Sequence, residues 1–461
     1  MPRNPGHDHL VRLTVLRFIA VGVLATVVSA TADSPAVLVA VGDVTATTAV
    51  LWTRGAAEGD VAMEYGPTGQ VAASKATIAV TAASDLTGKL RLAGLTPATR
   101  YAYRVQSAGT TATGEFNTAP APEATARVRF LWSGDLGGGT FCRPRDGEYK
   151  IFRAMAASRP DFFLFVGDTI YADHRCGGPD VAPGADFVAS TLAEYRIKHR
   201  YNREDPAAAA FYATTAVVPI WDDHEVRNDF SGRDEPLMPI GRQAFLDYWP
   251  ILPPAEEPGR LYRTLRWGRL LEVFVLDTRQ YRSPNTQRDG PGKTMLGAAQ
   301  RRWLLDGVVA SPATWKVIVT SVPLSVPTGR ADRHDSWSNA SILGVPDENS
   351  TGFAVERDAV LKTLRDRGVK NVIFLAADVH HAELIRHHPA AAFSVYEFIA
   401  GPLSAPQGRP RFLDQALNPR SLFARGAVNN FGEITIEREL LTVRVIDDDG
   451  QVLFTHAMGP D

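Results

Sequence analysis

Six short apolar runs, each ending at a carboxylate or a small polar residue, constrain this chain most strongly. Continuous apolar runs of this length are typical of strands that are buried on both faces of a sheet. Carboxylates that follow such strands lie where layered α/β proteins place their chemistry. The runs are residues 129–135, 162–168, 217–223, 271–277, 315–321 and 372–378. They predict a buried sheet with acidic side chains at its carboxyl edge.

The acidic ends of four of these runs are expected to form one metal site. Asp135, Asp168 and Asp223 close the first three runs, and Asp378 closes the last one. Carboxylates that meet at one sheet edge repel each other strongly unless cations lie between them. The pattern therefore predicts bound metal as well as a fold.

Composition and charge narrow the class of protein. The chain has 461 residues, of which 45% are hydrophobic and 22% charged, as expected for a globular protein of two or three domains. Its formal net charge is -2. This charge argues against nucleic acid or an anionic membrane as the main partner. A small phosphate ester stays open as a ligand, because a metal would supply local positive charge.

The amino terminus has the pattern of an export signal. Arginines precede an apolar stretch at residues 18–28, and small residues follow at 29–32. This stretch is shorter than the roughly 20 residues that a membrane span needs, so a membrane anchor is the weaker interpretation. We expect residues 1–32 to be a signal peptide, cleaved near Ala30 or Ala32. The mature protein would then be secreted, periplasmic or at the cell surface, without a stable membrane span.

Cys142 and Cys176 are the two cysteines of the chain. In an exported protein, such a pair favours a disulfide. A thiolate metal ligand is the alternative, because Cys142 closely follows the first acid-ended run. The sequence does not give the distance between the two sulfur atoms, so both interpretations stay open at this point.

Residues 33–120 differ in composition from the rest of the chain. They are rich in Ala, Val and Thr, and their alternation of apolar and polar residues predicts short strands. Leu95, Pro97, Thr99 and Tyr101 stand at alternate positions before one of these strands. This segment resembles the fibronectin type III domain, in which the tyrosine ties down a loop. We therefore expect an all-β, fibronectin/Ig-like sandwich here, followed by a proline-containing linker.

Residues 126–461 alternate apolar runs with helical stretches, which predicts a layered α/β domain. The helical stretches are residues 148–158, 187–199, 298–309 and 355–367. Residues 325–353 and 402–428 have no regular pattern and are expected to be surface loops around the site. Residues 432–455 alternate apolar and polar side chains, and we expect them to end the domain as strands.

The segment that begins at Gly167 suits a metal. The glycine permits a tight turn, so the Asp168 carboxylate can point at an ion. Tyr171 lies three residues further on. A phenolate is a strong ligand for a hard trivalent cation, above all ferric iron. A tyrosine that lines the core is the alternative, but the proximity of Asp168 favours a ligand.

Residues 221–228 contain the densest group of polar side chains, in the order Trp-Asp-Asp-His-Glu-Val-Arg-Asn. Asp223 or Asn228, or both, would bind a second metal through oxygen. His224 would protonate a leaving group or hold a phosphoryl oxygen. This segment is therefore expected to combine metal binding with proton transfer.

Asp378 and His380 follow the last apolar run. At the end of an extended strand, side chains two positions apart face the same side, so both would reach one dinuclear centre. His381 would point away from this centre. The spacing favours a metal ligand over a structural role for His380.

Taken together, these segments resemble metallophosphoesterases, and most closely the PhoD-like alkaline phosphatase family. The residues that carry the resemblance are 133–136, 167–173, 221–228, 276–282 and 377–380. The resemblance implies a metallophosphoesterase-type β-sandwich of α/β class, flanked by helices and formed by residues 126–461. The family also carries a β-sandwich ahead of this domain, which agrees with the expectation for residues 33–120.

The same resemblance implies two metals. The implied ligands of the first metal are Asp135, Asp168, Tyr171 and His380, and Asp168 would bridge to the second. Asp223 and Asp378 stand where other members of the superfamily use Asn and His. The second site is then almost all oxygen, which suits a hard divalent cation. The family's association with iron and calcium implies Fe3+ and Ca2+, with Mg2+, Mn2+ or Zn2+ as alternatives.

Two features depart from the family pattern. Better-known members have a cysteine ligand where this chain has Asp135, and the later Cys142 is not assigned that role. Family members are commonly exported by a twin-arginine signal, whereas no adjacent pair of arginines precedes the apolar stretch here. The export route and the compartment of iron loading are therefore open.

The expected function is hydrolysis of a small phosphate ester by an exported metal-dependent phosphatase or phosphodiesterase. A hydroxide held between the metals would attack phosphorus, with Asp168 and His224 as catalytic residues. Arginine binds phosphate bidentately, so several arginines are candidates for substrate binding, with a surface salt bridge as the alternative for each. These candidates are Arg143, Arg227 and Arg279.

A cell-surface binding protein is the alternative function. The N-terminal sandwich would bind a partner, and the phosphatase-like domain would be catalytically inert. Every expected ligand position keeps a residue that can bind metal, which favours the enzyme. No specific nucleic acid partner is expected.

Overall fold

Two large β-sheets form the framework of the fold in a computed structural model that describes residues 36–461. The predicted signal peptide, residues 1–32, lies outside the described residues. The strands are β1 (Leu38–Gly42), β2 (Thr48–Arg54), β3 (Gly59–Pro67), β4 (Ser74–Val80), β5 (Thr87–Ala93), β6 (Arg100–Ser107), β7 (Thr110–Asn117), β8 (Val128–Ser133), β9 (Phe162–Val166), β10 (Ala216–Ile220), β11 (Arg263–Trp267), β12 (Leu271–Val275), β13 (Trp315–Val319), β14 (Gly329–Arg330), β15 (Arg333–His334), β16 (Val372–Ala376), β17 (Ala382–Ala390), β18 (Phe393–Ile399), β19 (Pro419–Arg425), β20 (Asn430–Glu437), β21 (Leu440–Asp447) and β22 (Val452–Met458). The helices are α1 (Ile151–Ala157), α2 (Leu192–Arg203), α3 (Pro206–Thr214), α4 (Met238–Tyr248), α5 (Gly297–Ala310) and α6 (Ala354–Asp366). Within this part of the chain, no helix is long and apolar enough to cross a bilayer.

The six apolar runs supply the buried centres of both sheets. In the nine-stranded sheet, of order β22-β21-β20-β8-β9-β10-β1-β2-β5, strands β8, β9 and β10 are adjacent and parallel. In the seven-stranded sheet, of order β11-β12-β13-β16-β18-β17-β19, strands β12, β13 and β16 are adjacent and parallel. Every residue of β9, β10 and β16 is buried, as expected for strands that are covered on both faces. The predicted sandwich of sheets and helices is confirmed.

The carboxyl ends of these strands converge at one edge. Strand β8 ends two residues before Asp135, and β16 ends two residues before Asp378. A Cβ atom on Gly134 would lie only 2.7 Å from the Cβ of Ala377. The missing side chain at Gly134 therefore permits the two sheets to approach each other closely, and acidic strand ends from both sheets come together.

The strands before residue 120 enter two different sheets. Strand β1 pairs in parallel with β10, and β2 and β5 extend the nine-stranded sheet further. Strands β4, β3, β6 and β7 form a separate four-stranded sheet. The Tyr101 hydroxyl accepts a 2.9 Å hydrogen bond from the backbone N–H of Thr96, and so ties down the loop before β6. A domain boundary near residue 120 stays a prediction.

A disulfide joins Cys142 to Cys176, whose Cα atoms are 5.7 Å apart. It links the loop after β8 to the loop after β9 and packs against a small apolar cluster that contains Tyr201. The favoured interpretation of the two cysteines is confirmed. Because the bond uses both thiols, Cys142 is not a thiolate ligand in this structure.

The two stretches that lack a sequence pattern contain some regular structure. Strands β14 and β15 form a short hairpin within residues 325–353. Strand β19 lies within residues 402–428 and pairs with β17 as the last strand of the seven-stranded sheet. None of its residues is buried, and only the three consecutive residues 422–424 are apolar, which is too short a run to indicate a strand. Residues 432–455 lie in β20, β21 and β22, as expected.

Candidate metal centre

The predicted ligands of the first metal meet at the converging strand ends. One side-chain atom from each of Asp135, Asp168 and His380 lies within 4.8 Å of the others. The Tyr171 hydroxyl lies 3.0 Å from Nε2 of His380. Asp135 and Asp168 follow β8 and β9 of one sheet, whereas His380 follows β16 of the other. The centre therefore bridges the two sheets.

His380 is oriented as a metal ligand. Its Nδ1–H donates a 2.5 Å hydrogen bond to the carbonyl oxygen of Pro406. That bond leaves the Nε2 lone pair directed at Tyr171 and at Asp135, whose Oδ1 is 3.7 Å away. Burial lowers the pKa of His380 to about 4, so the imidazole is neutral at neutral pH. A neutral ring held from behind by a carbonyl is the usual arrangement of a histidine that binds metal.

The second group of ligands shares Asp168 with the first. Atoms of Asp168, Asp223 and His224 lie within 4.8 Å of one another. Asp378 is also buried, and the nearby negative charge of Asp223 adds to the effect of burial in raising the pKa of its carboxyl group. Asn228 is exposed and its backbone N–H donates to Asp173, so its role as a ligand stays a prediction. Asp168 is therefore common to both groups of candidate ligands.

Several carboxylate oxygens of this centre are buried without a hydrogen-bond partner among the described residues. They are both oxygens of Asp135, Oδ1 of Asp223 and Oδ2 of Asp378. Buried carboxylates are costly unless they are paired or coordinate a metal. The set combines carboxylates with one phenol and one imidazole, which fits hard cations such as iron and calcium.

Electrostatics leads to the same conclusion. Burial and the neighbouring carboxylates raise the pKa of Asp135, Asp168 and Asp378 well above the usual range. Asp223 differs, because His224 and Arg279 outweigh the effect of burial and lower its pKa. Without positive charge, the other acids would retain protons. A cation between them would restore the carboxylate form.

The backbone at these ligands is left-handed and not extended. The φ angles are 65° at Asp135, 51° at Asp168, 69° at Asp378 and 58° at His380. We expected the alternation of side chains along an extended strand to place Asp378 and His380 on the same side. That explanation is wrong, because the backbone at both residues is left-handed, although both residues lie at the centre. Such conformations are uncommon for residues with a side chain and cluster at functional sites. His381 is buried beside Glu383, with its Nε2 3.2 Å from the carboxylate.

His224 is held by a carboxylate that we had not assigned to the site. Its Nδ1 lies 2.7 Å from Oδ1 of Asp173, and its ring stacks on Tyr171 with centroids 4.2 Å apart. Burial alone would lower the pKa of His224, but the carboxylates of Asp223 and Asp173 raise it to about 9. The imidazole is therefore charged at neutral pH and can donate a proton.

The three arginines predicted to bind phosphate occupy different surroundings. Arg279 is fully buried, and its guanidinium donates to both oxygens of Asp222, at 2.6 and 2.9 Å, and to Asp335. The expected contact between Arg279 and the substrate is not supported, because no face of this guanidinium is accessible to solvent. Its contacts are buried ion pairs within the protein. Arg143 donates to the Tyr201 carbonyl at 3.0 Å on α2, and exposed Arg227 pairs with Glu235. The role of these two in substrate binding stays a prediction.

A buried polar network fixes the strand ends. The Glu225 carboxylate accepts hydrogen bonds from the backbone N–H groups of Thr169 and Asp222, at 2.6 and 2.9 Å. It thereby joins the turn after β9 to the turn after β10. Sequence reasoning also missed Asp229, which forms a further acidic group with Asp223 and Asp335.

Comparisons with known proteins agree with this geometry. The chain matches the family of PhoD-like phosphatases over residues 135–445, and the N-terminal domain of PhoD-like phosphatases over residues 25–120. Alkaline phosphatase D of Bacillus subtilis (strain 168) is 27% identical over 319 residues, which are 62% of this chain and 52% of that protein. The aligned region thus spans about half the length of this curated relative.

Two solved structures share the fold. A structure of PhoD superposes with a TM-score of 0.73 at 22% identity, covering 92% of this chain and 88% of that chain. The purple acid phosphatase PPD1 from yellow lupin (Lupinus luteus) gives a TM-score of 0.62 at 13% identity, covering 92% and 74%. The fold and the ligand groups at the sheet edge define a protein of the metallophosphoesterase type. Because the family match covers more than half of its length, the chain belongs to the PhoD-like phosphatase family.

Proposed function

We propose that this protein is an exported, metal-dependent hydrolase of small phosphate esters, acting as a phosphatase or phosphodiesterase. The observation that carries this proposal is a group of buried carboxylate oxygens on Asp135, Asp223 and Asp378, around the shared Asp168, that have no hydrogen-bond partner within residues 36–461. Such a group keeps its carboxylates ionised only when positive charge lies among them. When bound, two cations would supply an acidified water as nucleophile and would neutralise the charge of the phosphoryl group.

The donor atoms favour iron at one position and calcium at the other. Tyr171 offers a phenol, which suits Fe3+, together with Asp135, Asp168 and His380. The second position is formed by carboxylates of Asp168, Asp223 and Asp378, which suit Ca2+. Mg2+ or Mn2+ would fit the same oxygen ligands, and Zn2+ would prefer a site richer in nitrogen or sulfur.

His224 would act as the proton donor to the leaving oxygen. Its Nδ1–H is engaged by Asp173, so Nε2 carries the proton that is available to a substrate. Asp168 would position both cations, and its Oδ1 also accepts the backbone N–H of His224 at 3.2 Å. Metal binding and proton transfer are thereby linked through one carboxylate.

The proposed export rests on two independent features. The predicted signal peptide at residues 1–32 has the charge and apolar pattern of a secretory segment. The disulfide between Cys142 and Cys176 is typical of oxidising compartments. The extracellular medium, the periplasm and the cell surface are all oxidising environments in which a disulfide persists. Detection of the protein outside the cytoplasm, with a new N-terminus after Ala30 or Ala32, tests this part of the proposal.

Hydrolysis of p-nitrophenyl phosphate and bis(p-nitrophenyl) phosphate tests the activity. The protein is assayed as isolated, after removal of metal by a chelator, and after re-addition of calcium with iron. We expect chelation to abolish hydrolysis and re-addition to restore it, and we expect Asp168→Asn to be inactive at every stage. The ratio of the two rates assigns mono- or diester preference.

The outcome separates the enzyme from a binding protein. Hydrolysis that survives both full chelation and Asp168→Asn would overturn the metal-dependent mechanism. Absence of hydrolysis with both substrates, at full occupancy of iron and calcium, would favour an inert phosphatase-like domain whose N-terminal sandwich binds a cell-surface partner.

A further inference from the structure

An imidazole that the proposed mechanism does not use lies beside the metal centre. The ring centroid of His174 is 5.0 Å from that of His224 and 5.3 Å from that of Tyr171. His174 is exposed, and within residues 36–461 no hydrogen bond holds either of its ring nitrogens. The ring is therefore accessible to a ligand that reaches His224.

The backbone holds His174 in this place. Its N–H donates to the Tyr171 carbonyl at 3.3 Å, and its carbonyl accepts a 2.5 Å hydrogen bond from Nζ of Lys198, which is buried. Two residues further on, Cys176 is joined to Cys142 by the disulfide. The exposed ring is thus carried by a segment that is fastened on both sides.

A second exposed ring belongs to the loop after β8. A Cβ atom on Gly138 would lie 3.1 Å from the Tyr171 ring and 3.3 Å from Nδ1 of His174, so the backbone of this loop passes close to both rings. The Phe141 N–H donates to the Gly138 carbonyl at 3.0 Å, and the Phe141 side chain is 44% exposed. The Ser404 hydroxyl donates to the Phe141 carbonyl at 3.1 Å and fastens the loop. Two exposed rings from neighbouring loops therefore border the centre.

These rings lie where the proposed mechanism places the leaving group. His224 is the proposed donor of a proton to the leaving oxygen, so this oxygen lies within hydrogen-bond distance of the His224 imidazole. The group attached to the oxygen extends away from phosphorus. With its ring only 5.0 Å from that of His224, the exposed His174 imidazole is within reach of this group.

We propose that His174 and Phe141 form a specificity site for phosphate esters whose leaving group contains a planar ring. We call these two residues the ring site. The ring of the substrate would stack on the His174 imidazole and pack against the exposed Phe141 side chain, because aromatic pairs gain more than their buried area alone supplies. This inference rests on the proposed hydrolysis and names its class of leaving group. An ester with a small alkyl leaving group would reach the metals but would miss both rings.

Steady-state kinetics on phenyl phosphate and methyl phosphate tests the ring site. His174→Ala removes the stacking surface, so its KM for phenyl phosphate should rise about fivefold. Its kcat should stay unchanged, because the contact is the same in the ground state and the transition state. Phe141→Ala should raise the same KM about threefold, and neither variant should change the KM for methyl phosphate. His174→Phe keeps a ring for stacking and should behave like the unchanged protein.

His388→Ala is the matched control, because it removes a partly exposed imidazole near the end of β17. It should leave both KM values unchanged. Equal rises in KM for the two esters in His174→Ala would overturn the ring site. The same conclusion would follow if His174→Phe behaved like His174→Ala, because the imidazole would then act through its nitrogens and not as a stacking surface.

Binding of phosphonates separates the ring site from the proposed hydrolysis. Phenylphosphonate and methylphosphonate, which have no ester bond, are titrated calorimetrically into the protein loaded with iron and calcium. We expect phenylphosphonate to bind more tightly, and His174→Ala to weaken its binding about fivefold. A protein that hydrolyses neither ester but keeps this dependence on His174 would overturn the proposed hydrolysis and support the ring site. Hydrolysis of both esters, with the two phosphonates bound equally well, would overturn the ring site alone.

Discussion

The Asp173 carboxylate connects two parts of the candidate site. Its Oδ1 lies 2.7 Å from Nδ1 of His224, while its Oδ2 accepts the backbone N–H of Asn228 at 2.8 Å. One carboxylate from the loop after β9 thus orients the imidazole and fixes the turn after β10. Asp173 is a positioning residue, because it acts on the substrate only through His224.

Asp173→Asn should slow hydrolysis in a way that depends on the leaving group. An amide cannot stabilise the charged imidazole, so proton donation by His224 is impaired. We expect an alkyl phosphate ester, whose leaving group needs a proton, to lose about 100-fold in kcat. The p-nitrophenyl ester should lose less than about tenfold, because its leaving group departs readily without a proton.

Steady-state kinetics on both substrates checks this role. Asp186→Asn is the control, since Asp186 is an exposed carboxylate in the same loop that pairs with Arg175. Equal losses on the two substrates would indicate that Asp173 supports only the fold.

Arg279→Met should destabilise the protein and leave no specific change in KM. Loss of the guanidinium leaves the buried carboxylate of Asp222 without its ion-pair partner, and Asp335 keeps only Arg282 and Asn285. Breaking a buried ion pair on one side typically costs about 3–5 kcal/mol in the free energy of unfolding. Exposed Arg227 pairs with Glu235, and Arg227→Met should cost less than about 1 kcal/mol.

Denaturant unfolding of both variants measures this difference. A stable Arg279→Met variant with a strongly raised KM would restore the original expectation that Arg279 binds phosphate.

The disulfide should contribute substantially to stability. Cys142 and Cys176 are 34 positions apart, and closing a loop of that length stabilises the folded state by about 3–4 kcal/mol in the chain-entropy account. Cys142→Ser/Cys176→Ser should therefore unfold at lower denaturant concentration. A reductant should destabilise the unchanged protein to the same level and leave the double variant unaffected. Equal stability of the oxidised protein and the double variant would contradict this prediction.

Buried His199 should make stability fall in acid. It packs against Tyr248 with ring centroids 5.5 Å apart, and burial lowers its pKa from 6.5 to about 3. Between these two values the unfolded state binds more protons than the folded state, so the free energy of unfolding decreases as the pH falls through this window. At about pH 5 the loss from this residue is on the order of 2 kcal/mol.

A comparison of the unchanged protein with His199→Gln isolates this effect. The variant should lose about 2 kcal/mol less than the unchanged protein between about pH 7.5 and pH 5, as measured by denaturant unfolding. Parallel curves for the two proteins would show that His199 does not control this pH dependence.

The sequence predicts the framework of the centre because two strong signals coincide. Buried parallel strands give continuous apolar runs, and Asp135, Asp168 and Asp378 follow such runs directly. Tyr171 and His380 lie within three residues of these acids, so local spacing is enough to assign them. All of these residues surround the same edge in the structure.

Other features depend on contacts that spacing does not show. Arg279 and Asp222 are 57 positions apart, and only the packing of the two sheets buries them together. Helix α3 begins at Pro206 after the capping residue Asp205 and continues through alanines 207–210, a local helix signal that the expected helical stretches did not include. The left-handed backbone at His380 also has no local signal, because it follows from the turn between β16 and β17.

The metal content of the purified protein tests the central claim most directly. After reconstitution with iron and calcium and removal of unbound metal, elemental analysis should find two metal atoms in each unchanged chain. Asp135→Asn should lose the iron, and Asp168→Asn should lose both metals because it bridges them. Absence of bound metal in the unchanged protein, or full retention by Asp168→Asn, would contradict the proposed dinuclear centre.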